Sequence, residues 1–348
     1  MKGSVIALDE IGGRRAAARL VDGRLDDLLV DPADDAPGYA PLPGAIFRAI
    51  CDRPVKGQGG MFVRLPGGSG FLRGARGLRP GQALLVQVTG WADDGKAVPV
   101  TERVLFKSRY AIATPGAPGV NISRRVRDEE ARVRLKEVAF EVLGEAGEIG
   151  LILRSEAEGG ADTAVAEDIA GVCDLARAVL GDTQGRDPAL LVDGPNAHEL
   201  AWRDWPAPDL LAEAPGSFAE QGIDEAIAEM RVDRVALAAG AFAFVEPTRA
   251  LVAVDVNTGP DSSPAAGLKA NIALARDLPR QLRCRGLGGQ ITVDFAPMPK
   301  KERRGLEQVL RAAFRADPVA TALAGWTPLG LFELQRKRER RPLDGGTG

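Results

Sequence analysis

The stretch Leu251-Val252-Ala253-Val254-Asp255-Val256-Asn257-Thr258-Gly259, read with Gln290-Ile291-Thr292-Val293-Asp294-Phe295, decides how the last third of this chain folds. Each is a short apolar run rich in β-branched residues that reaches an aspartate near its end, the pattern of a buried strand. Between them Leu268 to Leu282 has the apolar periodicity of an amphipathic helix, and Lys300 to Phe314 repeats it. Strand, helix, strand, helix implies an α/β layer. In a right-handed crossover, parallel neighbouring strands present their carboxyl ends side by side, where ligands of α/β sheets bind. Asp255 and Asp294 are therefore expected to meet, and two carboxylates so placed repel unless a proton or cation lies between them. Hard oxygen donors favour Mg²⁺. One such aspartate alone would more readily be a strand-end cap or an ion-pair partner. Asn257 shifts the balance, because residues two apart on a strand share a face and its amide can orient the Asp255 carboxylate.

Working outward, residues 44 to about 104 hold short β-type runs punctuated by glycine: Ala45 to Ile50, Gly60 to Leu65, Gly70 to Leu72 and Ala83 to Val88. That spacing suits a small barrel, and barrels of the OB type bind single strands by stacking bases on exposed aromatics beside a cation. Phe62 and Phe71 are the candidate aromatics and Lys96 the cation; an isolated strand phenylalanine is more often core. Before the barrel the chain reads as a meander with turns at Gly12-Gly13 and Asp22-Gly23, followed by a Pro/Asp/Gly-rich boundary from Asp31 to Pro43. After it come a helix from Asp128 to Leu143, a strand from Ile149 to Leu153 and a helix from Asp162 to Leu180, with arginines at Arg124, Arg125 and Arg154. Residues 182 to 218 show little regular pattern.

Composition narrows the function classes. The chain has 348 residues, 45% apolar, with a formal charge of −3. An acidic balance argues mildly against a nucleic-acid partner, but fifteen Lys/Arg face seven Asp/Glu between Arg276 and Arg341, so the end of the chain is locally basic. No apolar run is long enough to span a membrane and no secretory leader opens the chain, which leads to the expectation of a cytoplasmic protein. Cys51, Cys173 and Cys284 are far apart, so neither a disulfide framework nor a zinc knuckle is expected. The single histidine, His198, argues against a histidine triad, and no phosphate-binding G-x-x-x-x-G-K-[ST] loop occurs.

Residues 253–259, with Arg280-Gln281-Leu282-Arg283-Cys284-Arg285-Gly286-Leu287-Gly288-Gly289-Gln290-Ile291-Thr292-Val293-Asp294-Phe295, closely resemble the catalytic segment of the ribonuclease E/G family, and Leu329 to Arg338 resembles the end of that subdomain. The resemblance implies an α/β multidomain fold: an RNase H-like subdomain (1–42 and a shortened 182–240), an inserted OB-fold barrel of the ribosomal S-one type (43–105), a 5′-sensor-like subdomain (106–181), a DNase I-like catalytic subdomain (241–342) and a tail (343–348). It implies a Mg²⁺-dependent endoribonuclease that cuts single-stranded RNA, leaving 5′-phosphate and 3′-hydroxyl ends, in RNA processing or decay. Asp255 and Asp294 would hold the metal with Asn257 in support, Phe62, Phe71 and Lys96 would bind RNA, and Arg124, Arg154 and Ser155 would contact a 5′-phosphate. Ser155 stands where the family usually has threonine, and Ser108 where it has glycine. The cysteine pair of the family's shared zinc is absent from the sequence, so no zinc-linked dimer is expected. A non-cleaving RNA-binding protein, as in ribosome assembly, is the rival from another class. A DNA-directed metal nuclease or phosphatase is a third reading, which leaves the barrel aromatics unexplained.

Overall fold

Alternation of buried and solvent-facing residues along the strands sets the architecture. The computed structural model describes residues 2–32, 41–55, 59–92, 95–144, 149–183 and 185–343. The chain divides into two units, residues 1–35 with 208–348 and residues 36–207.

In the first unit, Ser4–Ile11, Arg14–Val21 and Arg24–Val30 form an antiparallel meander, and Leu210–Ala212 adds to its edge in parallel with Ser4–Ile11. Helix Ile223–Arg231 contributes Ile223, Ile227 and Met230 to the core of this sheet, beside Ala7, Ala16 and Leu28. The second sheet of this unit has six strands in the order Arg234–Ala236, Phe242–Pro247, Val252–Asn257, Gly289–Asp294, Phe332–Arg336, Thr321–Trp326. The Val252–Asn257 and Gly289–Asp294 pair is parallel, joined by helix Pro264–Cys284, and the other pairs are antiparallel. The expected α/β layer is thus present, with antiparallel strands added at both sides. Val252, Val254, Val256, Ile291 and Val293 point to one face, where Leu274, Leu278 and Leu282 of helix Pro264–Cys284 and Leu306, Leu310 and Phe314 of helix Lys300–Ala316 cover them. Their alternates Asp255, Gln290 and Asp294 are exposed, so the opposite face of the sheet is solvated, the usual arrangement of a sheet covered by helices on one side.

In the second unit, Ile46–Val55, Gly60–Leu65, Gly68–Arg73, Val98–Thr101 and Ala83–Val88 close into a five-stranded OB-like barrel, sealed by pairing of Ala83–Val88 with Ile46–Val55. Phe47, Ala49, Val63, Leu72 and Val86 fill it. Gly70 lets Val63 and Val100 close over it, since a Cβ there would lie 3.0 Å and 3.1 Å from their methyl groups. A second sheet, ordered Val120–Ile122, Ile149–Leu153, Ala111–Pro115, Phe106–Lys107, is backed by helices Glu129–Leu143 and Asp162–Gly181.

The segment expected to be irregular is partly regular. Ala189–Val192 pairs with the barrel strand Ile46–Val55, and Ala197–Asp204 is a helix opened by a reciprocal capping box between Asn196 and Glu199. Further along, Leu210–Ala212 pairs with the meander strand Ser4–Ile11.

Candidate active site

The parallel register places Asp255 directly beside Asp294. Adjacent strands lie about 4.8 Å apart, so the two carboxylates share one patch of the solvated sheet face. Both residues are exposed, and among the described residues neither carboxylate is in an ion pair with Arg or Lys. Asn257 is on the same face, and its Nδ2 donates to Asp255 Oδ2 at 2.8 Å, which fixes the carboxylate rotamer. Beyond it the chain turns at Gly259 (φ 72°), whose missing Cβ matters: one built there would lie 2.4 Å from the Gly240 carbonyl oxygen. On the Asp294 side, Asn271 is fully buried in helix Pro264–Cys284 and exchanges two hydrogen bonds with the backbone of Ala296, Nδ2 donating to its carbonyl and its N–H donating to Oδ1, each 2.9 Å. The chain leaving Asp294 is thereby pinned to the helix.

Among the described residues no group of three or more His, Cys, Asp and Glu is gathered as a metal cage. A Mg²⁺ ion does not need one, since it keeps several waters and is commonly held by one or two carboxylates with substrate phosphate completing the shell. Two adjacent carboxylates without a compensating cation, one of them oriented by an amide, suit that role by their donor chemistry.

On the barrel, Phe62 and Phe71 are cross-strand partners with ring centroids 5.4 Å apart, both half-buried. The Arg53 guanidinium lies 5.1 Å from the Phe62 centroid, a cation at these rings that the sequence reading did not single out. Lys96 is exposed in the loop before Val98–Thr101.

Arg154 and Ser155 follow strand Ile149–Leu153, and Arg124 follows the neighbouring Val120–Ile122, so the backbone brings these sites to adjacent strand ends. Their side chains differ in what they can offer a phosphate. Arg124 is exposed. Arg154 donates to the Ser108 and Arg203 carbonyls at 2.6 Å and 3.0 Å and to Asp204 Oδ1 at 2.8 Å, while Ser155 bonds Glu156 at 3.2 Å. Burial works against the Asp204 carboxylate, but hydrogen bonds and charge from Arg203 and Arg154 outweigh it and hold its pKa below the usual range. Ser108 Oγ and the Tyr110 N–H both donate to Asp168. Three carboxylates thus occupy this cluster.

The basic tract is also less available than its composition implies. Arg283 and Arg336 are buried around Asp317, whose side chain has no exposed surface, and Arg283 reaches Asp26 and Asp27 as well. Arg280 is paired with Asp277 at 2.7 Å. Lys300, Lys301, Arg304, Arg311 and Arg315 stay exposed on helix Lys300–Ala316. All three cysteines are free and buried, as expected of structural thiols, and burial pushes the Cys284 thiol up to about 12.

An OB-like barrel in one unit and a mixed α/β sheet with paired strand-end aspartates in the other define the class: a multidomain α/β protein with a two-carboxylate sheet site. The family model for the Ribonuclease E/G family matches residues 106–212 and 209–339, and the chain belongs to that family. It is 33% identical to Ribonuclease E of Nostoc sp. (strain PCC 7120) over 304 residues, 75% of this chain and 44% of the relative. It is 30% identical to Ribonuclease G of Salmonella typhimurium over 304 residues, 77% of this chain and 62% of the relative. The chain therefore spans about half the length of these curated relatives. Among the described residues no helix is long and apolar enough to cross a membrane.

Proposed function

We propose that this chain is a Mg²⁺-dependent endoribonuclease that cuts single-stranded RNA to 5′-phosphate and 3′-hydroxyl ends, in RNA processing or decay. One observation carries the reading: Asp255 and Asp294 stand in register on adjacent parallel strands of an open sheet face, with Asn257 bonded to Asp255. The relatives named Ribonuclease E and Ribonuclease G support it.

The two aspartates would hold the ion, and Asn257 keeps one oxygen of Asp255 engaged so that the carboxylate stays in a fixed orientation. When bound, Mg²⁺ supplies Lewis-acid stabilisation of a phosphodiester and lowers the pKa of water. Asn271, through Ala296, holds the strand end that carries Asp294, so the donor set is rigid before substrate arrives. Phe62 and Phe71 stack bases, with Lys96 at the barrel supplying charge to the backbone. The subdomain roles go with this proposal: RNase H-like for 1–42 and 182–240, barrel for 43–105, sensor-like for 106–181 and DNase I-like for 241–342. At the sensor-like cluster Arg124 is open to a 5′-phosphate, whereas Arg154 and Ser155 must first release Asp204 and Glu156.

The test is cleavage of a labelled single-stranded RNA with Mg²⁺ and with EDTA, followed by end analysis. Metal-dependent fragments that a ligase joins only through their 5′-phosphates support the proposal. Tight binding without cutting overturns it in favour of a non-cleaving RNA-binding protein, and equal rates on the matched DNA strand overturn the choice of RNA.

A further inference from the structure

The solvated face that carries the aspartates also carries aromatic rings. On strand Phe242–Pro247, antiparallel to Val252–Asn257, Phe244 is the register partner of Asp255 and Phe242 that of Asn257. Register partners point to the same side of a sheet with Cβ atoms about 5 Å apart. Ala243 and Val245, the alternates, are buried beneath the helices, while both phenylalanine rings are only half-buried. The rings meet edge to face, centroids 5.6 Å apart at 85°, and the Arg234 guanidinium of the next strand lies 4.3 Å from the Phe242 centroid. Apolar rings on a solvated sheet face, with an exposed arginine among them, lack the burial that would explain them as core. They lie one strand spacing from Asp255 and two from Asp294.

We infer that Phe244 and Phe242, with Arg234, form a stacking subsite for the nucleobase next to the scissile phosphate. The inference rests on the nuclease reading and adds to it a contact to the substrate at the site itself. A phosphate held at Asp255 and Asp294 sits one sugar away from its base, a span that matches the neighbouring strand. The aromatic pair offers a π-face that accepts any base, and Arg234 adds a cation over Phe242. The subsite therefore takes single-stranded RNA with little base preference and excludes a paired nucleotide, whose base is stacked in a duplex.

The experiment compares the wild-type chain with Phe244→Leu, which keeps apolar bulk, and Phe244→Trp, which keeps stacking, on RNAs in which one abasic nucleotide is walked past the cleavage site. Stacking on one base predicts that Phe244→Leu lowers kcat/KM about tenfold to a hundredfold and that Phe244→Trp restores it. An abasic nucleotide beside the cut should cost the wild type a similar factor and Phe244→Leu little more, since the contact is already gone. If the wild type cuts and Phe244→Leu cuts equally well, or the abasic penalty is the same in both, the inference fails while the nuclease reading stands. If the wild type does not cut, the nuclease reading falls and takes the inference with it.

Discussion

Replacing Asn271 by leucine removes the clamp on the strand end that carries Asp294, and the size of the effect follows from what is left behind. Asn271 is fully buried and Ala296 is only 3% exposed, so the substitution leaves the N–H and carbonyl of Ala296 without partners and without water to replace them. Each buried backbone group left unsatisfied costs about 1–3 kcal/mol, so the pair should cost about 2–6 kcal/mol. Leucine fills much the same volume, so little of that loss is a cavity effect. Hydrogen exchange over residues 289–298 reads it locally: the Ala296 amide should lose protection by about thirtyfold or more, the equivalent of about 2 kcal/mol. Asn271→Asp keeps an acceptor for the Ala296 N–H but turns an oxygen toward the Ala296 carbonyl, so it should be no milder. Cleavage should slow in both, through kcat more than KM, because the loosened element carries a carboxylate and not a substrate-binding surface. If Asn271→Leu exchanges at the wild-type rate and melts within about 0.5 kcal/mol of it, the reasoning that this clamp positions Asp294 is refuted.

Other consequences are as direct. Asp317→Ala leaves Arg283 and Arg336 buried without their shared counter-ion and should destabilise the protein by about 3–5 kcal/mol, visible as a lowered Tm. Burial opposes the charged form of Asp277, but Arg280, Gln281 and Arg24 hold its pKa below the ordinary carboxylate value. A group depressed in the folded state adds stability that is fully present above its unfolded pKa of about 3.9 and is lost as pH falls through the folded value, so acid titration of Tm should be shallower in Asp277→Asn. Because a terminal phosphate must displace Asp204 and Glu156 from Arg154 and Ser155, RNAs with 5′-phosphate and 5′-hydroxyl ends should be cut at rates within about threefold of each other in a side-by-side assay.

How much of this was legible in the sequence depended on the distance over which each residue acts. Asp255, Asn257 and Asp294 could be placed together because strand alternation and a single crossover helix are local patterns, and their register is the pairing that the pattern implies. The barrel was legible from four of its runs, but the closing strand Val98–Thr101 has four residues and contains Pro99, which removes a ladder donor and argues against a strand. Phe242 and Phe244 were not singled out, although Phe-Ala-Phe-Val alternates large and small and a strand partner lies just beyond a turn at Thr248. The helix at Ala197–Asp204 carried its own signal in Asn196-x-x-Glu199 and was obscured by the surrounding prolines. By contrast, nothing local to Arg154 announces Asp204, and nothing local to Arg283 announces Asp26, Asp27 and Asp317. Charge counting took in Arg283, and the family resemblance offered Arg154 to a phosphate, whereas long-range pairing engages both.

The most direct test of the central claim is cleavage and binding of one single-stranded RNA by Asp294→Asn beside the wild type in Mg²⁺. Loss of a single carboxylate that makes no structural ion pair among the described residues should leave folding and RNA affinity near wild type and abolish cutting. A variant that binds as before and still cuts at the wild-type rate would remove Asp294, and with it the paired-carboxylate site, from the chemistry.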